Sequence, residues 1–190
     1  MIQSDKQILT AMKLGRIRIA PFSRENLGPN SYDLTLHSLH SILPREEFRG
    51  GPLKRLDTTK RVPPSIEQNS TPNGEIVLLP ETTTIVMSKE VIGVNQPFVG
   101  ILSPRSGFSR LPISIGYSHL VDTGYLGVCG ASITNHADYD LVLRENQRFM
   151  QIMFHKTGQV DQRYDVRKNS KYLTNDGSHV PVYKIDKEWL

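Results

Sequence analysis

The second half of the chain is cut into short β-branched runs, and that cadence limits the fold more than any other feature. Ile76-Val77-Leu78-Leu79 stops at Pro80, Thr82 to Met87 is rich in β-branched residues, and Val99-Gly100-Ile101-Leu102 runs into a proline turn. Ile113-Ser114-Ile115, Gly127 to Thr134, Tyr139 to Leu143 and Arg148 to Phe154 continue the series. Turn signals recur about every 8 to 12 residues, with no second long helical pattern, which predicts a β-barrel or jelly roll. No internal repeat is visible.

The first half supplies one helix and a long excursion. Ser4-Asp5-Lys6-Gln7 carries a capping box, and Ile8, Leu9, Met12 and Leu14 predict one buried helix face that stops at Gly15. Ile17-Arg18-Ile19 predicts a brief strand, followed by the turn formers Asn26 to Asn30. Alternation over Ser31 to Leu36 puts Tyr32, Leu34 and Leu36 on one strand face. Residues 44–74 are rich in Pro, Gly and charge and predict a surface excursion without chemistry. At 190 residues the chain can close one core and is short for two domains. The expected organisation is a single domain over 1–190, with a helix/strand segment at 1–30 and a tail at 164–190.

Composition narrows the function classes. The net charge is +4, yet no basic cluster exceeds a pair such as Arg167-Lys168, so an anionic small molecule is expected and nucleic acid is not. No apolar run approaches the roughly 18 residues of a membrane span, and the first residues lack an apolar signal-peptide region. The lone Cys129 rules out an internal disulfide framework, and a cytoplasmic location is expected.

The stretch with the chemistry is Pro104 to Gly127. Pro104-Arg105-Ser106-Gly107 is a turn offering a guanidinium, a hydroxyl and free N–H groups, a set suited to phosphate oxygens. Arg110 adds a second guanidinium five residues on. Val121 to Gly127 then presents a carboxylate, Asp122, and an aromatic ring, Tyr125, on a hairpin. An anion-binding turn, a candidate general base and a ring together fit a pocket for a nucleoside triphosphate.

This stretch resembles the trimeric dUTPase and dCTP deaminase superfamily, in which a PRSG-like turn and an I-D-x-x-Y-x-G hairpin form the active site. Residues 4–36 are similar to the amino-terminal segment of dCTP deaminases. The resemblance implies a distorted jelly-roll β-barrel and a homotrimer with active sites between subunits. It assigns Ser106 to the α- and β-phosphates, with Gly107 in the same turn, and Arg105, Arg110 and Arg148 to the phosphate chain. Arg148 and Gln151 keep their places in a run resembling the fourth motif, G-x-R-I-A-Q-L, although Asn146-Gln147 and Met150 depart from it. Gln151 would help orient the triphosphate or its magnesium water, and Mg2+ is expected to ride mainly on phosphate oxygens. Asp33 has two readings, a solvated strand residue or a first-motif residue near phosphate and metal.

Asp122 is the expected catalytic base, activating a water that attacks the α-phosphorus. The resemblance puts Tyr125 beneath the deoxyribose, where the ring excludes a 2′-hydroxyl. Base recognition falls to backbone groups between Tyr117 and Leu120, with Ser118 and His119 as neighbours; a structural role for His119 stands beside this. The tail also resembles the deaminase branch, in which a Tyr and K-Y-x-x-Q-x-G close over the nucleotide. Tyr164, Lys171 and Tyr172 match, and Asn175 stands at the Gln position.

One departure sets the expected activity. Deaminases of this type carry a proton-shuttling glutamate ten residues beyond the aspartate, and here that position is Ser132. A serine cannot act as that acid/base near neutral pH, and no Glu lies between Glu90 and Glu145. The zinc route to deamination needs a Cys/His set with C-x-x-C spacing, which one cysteine cannot supply. The expectation is a Mg2+-dependent deoxynucleoside triphosphate pyrophosphatase acting on dUTP, with dCTP a further substrate. The alternatives are a dCTP deaminase with another proton shuttle and a non-catalytic nucleotide-binding paralogue.

Overall fold

Ser4 begins α1 (Asp5–Lys13), the one α-helix among the described residues, by the expected capping box, its side chain accepting from Gln7 N while Gln7 reaches back to Ser4 N. The structure is a computed structural model describing residues 1–43, 57, 59–60 and 65–172. Ile8 and Ala11 are buried, with Met12 packed beside the core, whereas Leu14 is 69% exposed. Leu14 caps the helix with its backbone and so leaves the i, i+3, i+4 stripe; Gly15 then turns the chain at φ +66°.

The strands follow in chain order. They are β1 (Ile17–Ala20), β2 (Tyr32–Leu43), β3 (Ile66–Gln68), β4 (Glu75–Leu78), β5 (Thr83–Val94) and β6 (Phe98–Pro104). The second half adds β7 (Ile113–Tyr117), β8 (Leu120–Val121), β9 (Leu126–Asn135), β10 (Leu141–Arg144) and β11 (Arg148–Lys156). Antiparallel pairing gives a sheet in the order β7-β9-β5-β2-β11-β6-β8, with β1 added on β5 and β3 on β2; β10 and β4 form a small second sheet. β7 and β8 are consecutive in the chain yet end the order on opposite sides, so the sheet curls back on itself as a half-barrel of the jelly-roll type. The mainly β fold is the one the strand cadence predicts. Part of the excursion, β3, pairs with the outer half of β2.

Tyr32, Leu34 and Leu36 are fully buried on one face of β2, as alternation requires, each contributing about 1.5–3 kcal/mol. Met150, paired with Leu34, and Ile152, paired with Tyr32, continue that layer on β11, and Phe149 and Phe154 are also fully buried. Thr35 faces the other way and is also buried, so its polar atoms need internal partners. The ladder is irregular at three neighbouring places: between Arg148 and Met150 on β11, Leu36 and His40 on β2, and Met87 and Val91 on β5. Such bulges re-aim side chains. Among the described residues no helix is long and apolar enough to cross a membrane.

Candidate active site

The Pro104-to-Gly107 turn grows from the end of β6. Arg105 N donates to Phe149 O at 3.0 Å, which ties the turn to β11, and buried Phe108 anchors the following 3-10 turn against Phe149. Ser106, Gly107 and Arg110 are left exposed. One carboxylate oxygen of Asp33 lies 3.4 Å from Arg105 Nε and 3.6 Å from Arg148 Nη1. Asp33 is therefore no plain solvated strand residue; it links two guanidiniums.

Register explains the meeting. Gln151 on β11 is the Cα partner of Asp33 on one side and Ser103 on the other, so three strands present one polar row. Gln151 Nε2 donates to Ser103 Oγ at 2.9 Å, and Ser31 Oγ donates to Gln151 Oε1 at 3.4 Å. Arg105, Arg148, Gln151 and Asp33 thus come together as one polar cluster. Ser31 and Ser103, which sequence reasoning left out, hold the Gln151 amide; only strand register identifies them.

The Asp122 hairpin forms a second group. Tyr125 N donates to Asp122 O at 3.0 Å, and Gly124, at φ +93°, donates its N–H to Val94 O at 2.7 Å. Thr123 Oγ1 donates to Phe98 O at 2.5 Å, which pins the hairpin beside the start of β6. Tyr125 Oη donates to Val128 O at 2.6 Å, fixing the ring. Burial, then the nearby Cys129, Tyr164 and Tyr172, keeps that phenol protonated far above its ordinary range.

The tail packs onto this hairpin. Tyr164 N donates to Thr123 O at 2.8 Å, and the Tyr164 ring meets that of Tyr125 edge-on at 5.6 Å. Tyr172 N donates to Tyr164 Oη at 3.0 Å, while Lys171 precedes it and is partly buried. Asn175 lies outside the described residues. A concavity of about 570 Å³ opens beside Tyr125, lined also by Met12, Ile17, Arg18, Asn95 and Asp165. Asp122 does not line it.

The two groups sit at opposite ends of β6. Gly100 pairs with Val121, so Asp122 lies alongside Val99, whereas Arg105 follows Pro104. Six residue steps along the strand separate them, roughly 20 Å. Within one chain, Asp122 and Arg105 cannot address the same phosphate.

Ser132 stands well along β9, opposite Gly116 on β7. Its hydroxyl donates to Gly116 O at 3.3 Å, and a Cβ on Gly116 would lie 2.6 Å from Ser132 Oγ. Tyr117 and His119 stack at 4.5 Å between the centroids, and Leu102 N donates to His119 O at 2.8 Å, so the backbone of His119 is engaged with β6. Ser118 Oγ turns back to Leu120 O at 3.3 Å. Among the described residues no three His, Cys, Asp or Glu side chains cluster as a metal cage.

With this geometry in place, likeness to known proteins gives the family. The family described as dCTP deaminase-like matches residues 2–157. The chain is 29% identical over 208 aligned residues to "dCTP deaminase, dUMP-forming" of Methanococcus vannielii, covering 99% of this chain and 98% of that one. It is 28% identical over 142 residues to "Probable deoxyuridine 5'-triphosphate nucleotidohydrolase" of Archaeoglobus fulgidus, covering 75% and 79%. The solved structure of 2'-deoxycytidine 5'-triphosphate deaminase from Agrobacterium tumefaciens shares the fold, with a TM-score of 0.60 at 23% identity. That likeness covers 80% of this chain and 47% of the other, so this chain spans about half its length. The matched span holds both the Arg105–Arg148 cluster and the Asp122 hairpin, and the chain belongs to the dCTP deaminase-like family.

Proposed function

We propose that this protein is a deoxynucleoside triphosphate pyrophosphatase that converts dUTP to dUMP and diphosphate. The observation that carries this reading is Ser132: the strand position that holds a glutamate in the deaminase pattern bears a hydroxyl bonded to Gly116 O. Of the two glutamates that flank it in sequence, Glu90 is buried against Thr35 and Glu145 accepts from Ser70 Oγ. Hydrolysis needs only a base, an anion clamp and a charge-neutralising cation, and each has a candidate here.

In this reading Arg105 and Arg148, with Ser106, Gly107 and Arg110 around them, hold the triphosphate, and Gln151 orients it. Asp122 takes a proton from the attacking water while the bond from the α-phosphorus to the bridging oxygen breaks. Tyr125 bears the deoxyribose, Ser118 and His119 border the base, and Tyr164, Lys171 and Tyr172 close over it. Magnesium, carried mainly on phosphate oxygens, would neutralise the departing diphosphate. The single carboxylate of Asp33 in the cluster suits a water-mediated contact and not a protein cage.

The roughly 20 Å between Asp122 and Arg105 supports a site completed by a second copy, because a general base must lie within hydrogen-bond reach of its proton. A homotrimer is the proposed assembly. A second reading, dCTP deamination, is favoured by the name of the Methanococcus vannielii relative. Incubation with dUTP and dCTP, scored for diphosphate and ammonia, separates the two. Diphosphate from dUTP without ammonia from dCTP is the expected result; ammonia from dCTP at an enzymic rate overturns it.

A further inference from the structure

The bulges of β2 and β5 meet next to the anion cluster, and Glu90 is set between them. It is 2% exposed and accepts twice from one residue, from Thr35 N at 2.9 Å and from Thr35 Oγ1 at 2.8 Å. Thr35 is the Cα partner of Arg148, and the β2–β11 register slips between Arg148 and Met150. Asp33 lies two residues before Thr35, so both side chains leave β2 on the same side. The glutamate therefore grips the strand beside the carboxylate that links Arg105 and Arg148.

Its neighbours in the β5 bulge grip the rest of this region. Lys89 Nζ donates to Asn146 Oδ1 at 2.6 Å, and Asn146, at φ +65°, turns the chain two residues before Arg148. Ser88 Oγ donates to Glu90 O at 2.7 Å and accepts from Cys129 N at 2.9 Å, which fixes the bulge against β9. Burying a carboxylate is costly, and an apolar residue would fill a sheet interior more cheaply. A side-chain acceptor is required here because the Thr35 N–H is buried and its bond goes to Glu90.

We propose that Glu90 is a positioning residue: through Thr35 it fixes the course of β2, and with Lys89 at the Asn146 turn it holds Arg148 and Asp33 in the geometry that receives a triphosphate. The proposal rests on the pyrophosphatase reading of that cluster. Glu90 itself touches no substrate; it acts through the strand.

The test compares affinities for the non-hydrolysable analogue α,β-imido-dUTP and for dUMP, in the parental protein and in Glu90→Ala and Glu90→Gln. Misplacing Arg148 should weaken the triphosphate analogue by about tenfold or more and change dUMP by less than about threefold. Glu90→Gln keeps an acceptor for Thr35 N–H and a donor for Thr35 Oγ1, and is expected to bind the analogue within about threefold of the parental protein. Should Glu90→Ala not fold, Thr35→Val, which removes one of the two contacts, must show the same selective loss. Folded variants that lose both ligands equally, or neither, overturn the proposal, as does a Glu90→Gln protein with the full selective loss. A parental protein that binds the analogue no better than dUMP overturns the phosphate-cluster reading and, with it, this proposal.

Discussion

Ser132 and Gly116 are hydrogen-bonded across the β9–β7 pair, the hydroxyl donating to the carbonyl at 3.3 Å. The serine is thus occupied, and its hydroxyl is no acid/base at neutral pH. The wild-type protein is expected to release no ammonia from dCTP, measured by a coupled ammonia assay. Ser132→Glu should gain at most a trace, because a working acid/base also needs tuned surroundings.

Replacing Asp122 with Asn should lower diphosphate release from dUTP by roughly 100-fold or more while leaving binding of α,β-imido-dUTP intact. Steady-state turnover and a titration of the analogue read the two effects separately. Parental turnover in Asp122→Asn would remove Asp122 from the base role.

Gly124 is where the tail touches the hairpin most closely. At φ +93° an added Cβ would lie 2.6 Å from Asp165 Oδ1, 2.8 Å from Arg163 Cβ and 2.9 Å from Tyr164 N. Gly124→Ala is expected to cost about 1–3 kcal/mol and to loosen the tail. Lower thermal stability and faster proteolysis between residues 159 and 172 are the readouts. Gly107→Ala is the control: its φ is −65° and nothing lies within 4 Å of the added carbon, so its melting temperature should match the parent's.

Burial raises the carboxyl pKa of Glu90 above the ordinary 4.5, against the opposing pull of the Thr35 hydrogen bonds. The folded protein therefore keeps a proton that the unfolded chain has already released. Stability from this group is full below 4.5 and declines as pH rises through the raised value. Glu90→Gln should flatten that decline in a series of thermal melts. An identical pH profile in the variant would show that Glu90 does not set it.

Shared sites can be tested by mixing two inactive proteins. Arg105→Ala and Asp122→Asn damage opposite ends of β6, so a mixed assembly contains some sites with both ends intact. Random mixing in a trimer should restore about a quarter of the sites. No recovery on mixing, or a fully active monomer by light scattering, would contradict the assembly.

What the sequence made legible was local. The Ser4–Gln7 capping box spans four residues, the Tyr32-Leu34-Leu36 alternation needs one strand, and Pro104-Arg105-Ser106-Gly107 announces its own turn. β2 and β5 run farther than the pattern predicted, to Leu43 and Val94, because their alternation breaks at bulges that bury Thr35, His40, Ser88 and Glu90. Glu90 reads as an ordinary charged residue because its partner is 55 positions away. The candidate residues divide between Arg105 with Arg148 and Asp122 with Tyr125 for a similar reason. Their separation depends on β6 lying between the two groups, which no motif spacing encodes.

β6 acts as a ruler, and its length has a consequence for dosage. In the proposed assembly each chain lends its phosphate end to one site and its hairpin end to another. A solitary copy then owns no complete site at all. Specific activity would climb with the amount of protein instead of staying constant, so halving the number of copies would remove more than half of the working sites.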